Sequence, residues 1–91
     1  MWCVYVLRSQ RSGHLYVGIT KNLPRRLEHH NTGQAPATRG CGPFDLAYVE
    51  EHKSRSEAMR RERALKGGQG RAWLAERIAR RLTENDSRDV E

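Results

Sequence analysis

Residues 16–27 read Tyr16-Val17-Gly18-Ile19-Thr20-Lys21-Asn22-Leu23-Pro24-Arg25-Arg26-Leu27, and along this stretch the apolar pattern changes period. Up to Thr20 it alternates, with Leu15, Val17 and Ile19 set against His14, Tyr16, Gly18 and Thr20, as in a half-buried strand over residues 14–20. Beyond it, Asn22 is placed to cap a helix. Pro24 falls in the first turn, where its missing N–H costs nothing. The helix is expected to run to about Asn31 and to stop at Gly33.

Reading toward the N-terminus, residues 2–7 make a strand with Trp2, Val4 and Val6 on one face and Cys3, Tyr5 and Leu7 on the other. The polar turn 8–13 joins it to the second strand as an antiparallel hairpin. Toward the C-terminus, residues 34–43 hold Pro36, Gly40, Gly42 and Pro43 and form a loop. Phe44 to Glu50 alternates as a third strand. Ser54 and Glu57 have capping-box spacing and open a helix that ends near Lys66, where Gly67-Gly68-Gln69-Gly70 is expected to break it. A last helix is expected over 71–82, with Leu74, Ile78 and Leu82 on one stripe. The order is β-β-α-β-α-α, an α+β domain over residues 1–82, followed by an acidic tail, 83–91, expected to be disordered.

Ninety-one residues suit one domain. Cys3 and Cys41 are too few for a disulfide scaffold and form no CxxC pair, as expected of reduced thiols in a cytoplasmic protein. The N-terminus has no basic leader, and its apolar run ends at Arg8, too short for a signal sequence or a membrane span. The net charge is +6, and fourteen of the 17 basic residues are arginine. Residues 1–82 alone carry sixteen basic against seven acidic side chains, a net +9. Arginine grips phosphate with a planar fork, so the expected partner is a nucleic acid, DNA or RNA.

Five side chains can carry chemistry. Tyr5 and Tyr16 lie on adjacent strands, opposite the aliphatic stripe; they suit an acid–base site or simple strand packing. Arg26 and His30, four apart, share a helix face. They can hold a phosphate and manage a proton, or merely be solvated. Glu62 lies on the helical stripe of Ala58 and Leu65, so its carboxylate is expected to be paired with an arginine neighbour, protonated or bound to a cation. Gly18 allows a close approach, a bulge, or nothing more than a tolerated strand glycine.

The succession Cys3-Val4-Tyr5, Tyr16-Val17-Gly18, Arg26-Leu27-Glu28-His29-His30-Asn31 and Glu62 resembles the GIY-YIG nuclease superfamily. The stretch 16–27, with Thr38-Arg39, Gly42-Pro43, Leu46 to Glu50, Glu57-Ala58 and Glu62 to Lys66, is similar to its small stand-alone bacterial members, a group related to structure-specific endonucleases. The likeness spans about residues 2–66 and implies three antiparallel strands flanked by helices. It also implies a metal-dependent endonuclease acting on DNA, on branched, nicked or single-stranded forms. In that likeness Tyr5 or Tyr16 deprotonates water, Tyr5 being preferred. Arg26 stabilises the phosphate, His30 shares a tyrosine's proton, and Glu62 holds one Mg²⁺ or Mn²⁺. A phenol with a pKa of about 10 needs cations beside it to act as a base, and Arg26, a protonated His30 or the metal would supply them.

Arg25, Thr38, Arg39 and Lys66 are expected to touch the nucleic-acid backbone. Cys3 replaces the first motif's glycine, while Val4 and Val17 replace isoleucines. With no appended DNA-binding domain evident, affinity must come from the basic surface or from a protein partner that brings the domain to its substrate. The alternative from another class is a non-catalytic nucleic-acid-binding module of the same fold.

Overall fold

In the computed structural model of the chain, which describes residues 1–34 and 38–90, with side chains through residue 80, six elements follow in the expected order. They are β1 (Trp2–Ser9), β2 (Leu15–Thr20), α1 (Leu23–Asn31), β3 (Phe44–His52), α2 (Arg55–Lys66) and α3 (Gly68–Val90). The strands form one antiparallel sheet in the order β2-β1-β3, so β1 is central. Pairs such as Tyr5 with Gly18 and Val6 with Val17 set the β1–β2 register. The β1–β3 ladder is interrupted by a shift between Val6 and Leu7.

The alternation in β1 divides the core in two. Val4 and Val6 face α2 and α3, where they are buried with Ala58, Leu65 and Leu74, and Trp2, Leu15, Val17 and Ile19 pack around them. Tyr5 and Leu7 face the opposite way and meet Phe44, with Tyr16, Leu23 and Leu27 around them. Burial from both sides suits this near-continuous apolar run. Each of its large aliphatic side chains contributes about 1.5–3 kcal/mol when fully buried.

Both expected caps form. The Asn22 side chain accepts from the Arg25 N–H at 3.2 Å, and the Ser54 hydroxyl accepts from the Glu57 N–H at 3.2 Å, each worth about 1 kcal/mol. At the other end of α1, Gly33 adopts φ 77°. Its N–H reaches the His30 carbonyl at 3.3 Å, while the Gln34 N–H reaches that of His29 at 2.9 Å. This left-handed stop fixes the last turn, where His30 sits.

Two boundaries differ from expectation. β3 continues to His52. α3 begins at Gly68, within the segment expected to interrupt the helices. A Cβ on Gly70 would stand 2.6 Å from Leu65 Cα and collide with the Ala64 carbonyl oxygen. Glycine is required here for close approach of α3 to α2, not for flexibility. α3 also takes in residues 83–90, expected from their composition to be a disordered tail; an acidic composition argues against a core and does not itself stop a helix. Pro36 of the expected loop, the Leu82 side chain and Glu91 lie outside the described residues. No described helix is long and apolar enough to cross a membrane.

Candidate active site

Tyr5 is held on the central strand and is only 4 % exposed. Its phenol lies over Gly18 on β2: a Cβ there would come within 2.5 Å of Tyr5 Cζ and closer still to the hydroxyl. The glycine following Tyr16-Val17 therefore makes room for the tyrosine of the neighbouring strand. Of the three readings its sequence position allowed, close approach is the one realised.

The Tyr5 hydroxyl meets His30 Nε2 at 3.1 Å, and His30 Nδ1 meets the Thr38 hydroxyl at 2.6 Å. The His30 and Thr38 side chains are themselves buried. Burial, with the charges of Arg26 and His29, pushes the His30 pKa below its usual value. Burial likewise raises Tyr5 above the usual tyrosine value; Arg26 opposes that rise and the Glu62 carboxylate adds to it. At neutral pH both groups are therefore uncharged. A neutral imidazole offers one donor and one acceptor. One tautomer donates Nδ1–H to Thr38 and leaves Nε2 to accept the phenolic proton; the other reverses both bonds. The buried ring is thus neutral, not the protonated His30 expected among the cations acting on the phenol.

Arg26 is exposed one helical turn before His30, and its charge reaches both Tyr5 and His30. Glu62 lies at the edge of the α2 stripe rather than within the core, for Ala58 and Leu65 are fully buried while the Glu62 side chain is 22 % exposed. Its one ion pair among the described residues is loose, 3.6 Å to Lys66 Nζ. Glu50 is the contrasting carboxylate. It takes hydrogen bonds from Tyr48, from His52 at 2.9 Å and from Arg61 at 2.7 Å. Burial alone would raise the Glu50 pKa, but these donors outweigh it and hold the group ionised. Among the described residues no three His, Cys, Asp or Glu side chains gather around a common point. Glu62, half-buried and loosely paired, is the carboxylate with capacity for a hard cation whose other ligands are water and phosphate.

Tyr16 shares the sheet face of Tyr5 but has different neighbours. Its ring packs edge-on against Phe44 at 5.4 Å and His14 at 4.7 Å. The Cys41 side chain and then burial raise its pKa. Phe44 also packs against His30 at 6.0 Å, so a run of ring contacts joins Tyr16 to Tyr5 by way of Phe44 and His30. The Phe44 N–H is in turn anchored by the Asn31 side chain at 2.7 Å. Neither Phe44 nor Asn31 stood out in the sequence, although Asn31 directly follows His30 at the helix end. Of the expected backbone contacts, Arg25, Arg39 and Lys66 are exposed. Arg39 Nε donates to the Gly33 carbonyl at 3.3 Å. Thr38 is 2 % exposed and occupied with His30.

The chain is similar to known proteins in sequence and fold. A family model described as the GIY-YIG catalytic domain matches residues 1–74. A UPF0213 protein of Oceanobacillus iheyensis is 48% identical over 64 residues, covering 69% of this chain and 73% of its own length. Another, of Desulfotalea psychrophila, is 43% identical over 67 residues, covering 71% of this chain and 60% of its own. The solution structure of a UPF0213 protein from Bacillus halodurans superposes with a TM-score of 0.51 at 35% identity, covering 84% of each chain. The pairing of Tyr5 with Gly18 and the placement of Arg26, His30 and Glu62 around that phenol thus lie within the matched region, and the chain belongs to the GIY-YIG catalytic-domain family, alongside the UPF0213 proteins.

Proposed function

We propose that this chain is a divalent-metal-dependent endonuclease that hydrolyses DNA phosphodiester bonds at one site formed by Tyr5, His30, Arg26 and Glu62. The observation that carries the reading is the buried Tyr5–His30–Thr38 hydrogen-bond chain, whose phenol feels the opposed charges of Arg26 and Glu62.

The attacking water gives a proton to Tyr5 Oη as the phenolic proton passes to His30 Nε2. Oxygen bonds to phosphorus, the bond to the leaving oxygen breaks, and that oxygen is protonated from solvent. The imidazolium formed keeps its Nδ1–H on Thr38. Arg26, exposed and without an ion-pair partner among the described residues, meets the phosphate where negative charge accumulates. Glu62 would hold Mg²⁺ or Mn²⁺, which when bound supplies positive charge for the phosphate and the departing oxygen. Occupying Glu62 in this way also removes the carboxylate's upward push on Tyr5. Tyr16 positions water or phosphate from the neighbouring strand. Arg25, Arg39 and Lys66 steer the backbone, and Thr38 acts through His30.

The test is a panel of linear, nicked, flapped and single-stranded DNA in Mg²⁺ or Mn²⁺, with Arg26→Ala and Glu62→Ala beside the unaltered chain. Cleavage by the unaltered chain and loss of at least about a hundredfold in each variant is expected. Cleavage that survives both substitutions would sink the assignment. Binding without cleavage under either metal would leave a non-catalytic binding module.

A further inference from the structure

The sheet face opposite Tyr5 carries a second cluster that the proposed chemistry does not use. At its base Glu50 fixes Arg61 at 2.7 Å and takes the Tyr48 hydroxyl. The Arg61 guanidinium lies 4.9 Å from the centre of the Trp73 ring. Trp73 meets Tyr48 edge-on at 5.6 Å and 87°. Arg77 stands 5.6 Å from both rings. Tyr48, Trp73, Glu76 and Arg77 line a cleft of about 590 Å³ between β3 and α3, with Arg80 at its end; Glu50 and Arg61 brace the two rings without lining it.

Packing does not account for this arrangement. Leu74 anchors this turn of α3 at 0 % exposure, whereas its neighbour Trp73 is 40 % exposed. Trp73, Arg77 and Arg80, at i, i+4 and i+7, line one helix face. The charges are unequally satisfied. Arg61 is held by Glu50 and Arg80 by Glu76 at 2.8 Å. Arg77 is exposed and has no carboxylate among the described residues. The cluster thus combines two aromatic rings on a fixed base with one arginine that lies over both rings and has no carboxylate partner among the described residues.

We infer that this cleft is a binding site for single-stranded nucleic acid, taking an unpaired base against Trp73 and Tyr48 and its phosphate on Arg77. Stacking is indifferent to sequence, and Arg77, which now lies over both rings, would yield its place to the base and bridge to the phosphate. The uncompensated positive charge selects a polyanion over an acidic-poor peptide. A duplex, whose bases are already stacked, offers nothing for the rings to take. The inference stands apart from the nuclease reading, because it concerns binding on the other face of the sheet and needs no metal.

Fluorescence anisotropy of a labelled short oligothymidylate and of a matched duplex, in EDTA, tests it on the full chain. Trp73→Leu should weaken the single strand about tenfold and leave duplex affinity unchanged. Arg77→Gln should also weaken the single strand, with a shallower salt dependence. Equal loss on both ligands would reduce the cleft to general basic surface and overturn the inference. So would unchanged affinity in both variants, which would leave the face to a protein partner. Circular dichroism checks each fold. If Trp73→Leu does not fold, the exposed Arg77→Gln decides the matter alone.

Discussion

The Tyr5 hydroxyl lies 3.1 Å from His30 Nε2, bringing together the central strand and the last turn of α1 across a gap of 25 residues. Both partners are buried and their pKa values are pushed apart, His30 downward and Tyr5 upward. That separation keeps one proton between two neutral groups over a broad range. Cleavage should therefore be level through neutral pH and fall on the acid side below the ordinary histidine value of about 6.5. Because Arg26 contributes to the depression, Arg26→Ala should raise the His30 pKa. An imidazole NMR titration reads this without any need for activity, and an unmoved titration would disconnect Arg26 from the pair.

The same shift affects stability. A histidine kept neutral in the fold binds fewer protons than in the unfolded chain, so stability rises with pH through its titration. The contribution is complete above the unfolded value of about 6.5 and is lost as pH falls below it. His30→Gln should flatten that acid limb of a plot of Tm against pH. Tyr5 acts with the opposite sign: its stabilisation is lost as pH rises above the usual tyrosine value of about 10.

Gly18 offers a steric test. In Gly18→Ala the new methyl group meets the Tyr5 ring, and we expect a loss of about 1–3 kcal/mol in urea denaturation. Tyr5→Leu removes the ring, so the same glycine change in that background should cost much less. Equal costs in the two backgrounds would mean that the strands adjust without involving the phenol.

Thr38 can be separated from a surface contact by its isosteres. Thr38→Val removes the partner of His30 Nδ1 and should lower kcat about tenfold with KM little changed, while Thr38→Ser should restore it. A surface contact would behave as we expect of Arg39→Ala, which should raise KM. If Thr38→Val alters only KM, His30 is oriented by something else.

The two acidic neighbourhoods make opposite predictions. Glu50→Gln disturbs a network of three donors and should lower stability by about 1–3 kcal/mol. Glu62→Gln loses only the loose Lys66 pair. It should leave Tm nearly unchanged while abolishing the response of cleavage to added Mg²⁺ or Mn²⁺. The reverse pattern would exchange their roles.

Much of this was legible in the chain. The alternation in residues 2–7 and 15–19 assigned each side chain to its sheet face, and Asn22 and Ser54 announced their helices because capping is local chemistry. What escaped depends on contacts distant in sequence. Gly70 looks like a breaker until Ala64 and Leu65 are seen against it. Thr38 resembles a solvated loop residue because the imidazole that buries it lies on α1. Glu62 falls on an apolar stripe, yet where α2 crosses the sheet decides that it stands at the rim. Phe44, which links His30 to Tyr16, carries no polar atom to draw notice.

The strand that presents Tyr5 is also the one enclosed on both faces and paired on both edges, with β2 and β3. Its amides can exchange with solvent only when the whole molecule opens, so the Tyr5 N–H belongs with the slowest-exchanging protons. The phenol therefore has no private mode of failure: on heating, competence and cooperative structure should disappear in a single transition rather than in sequence.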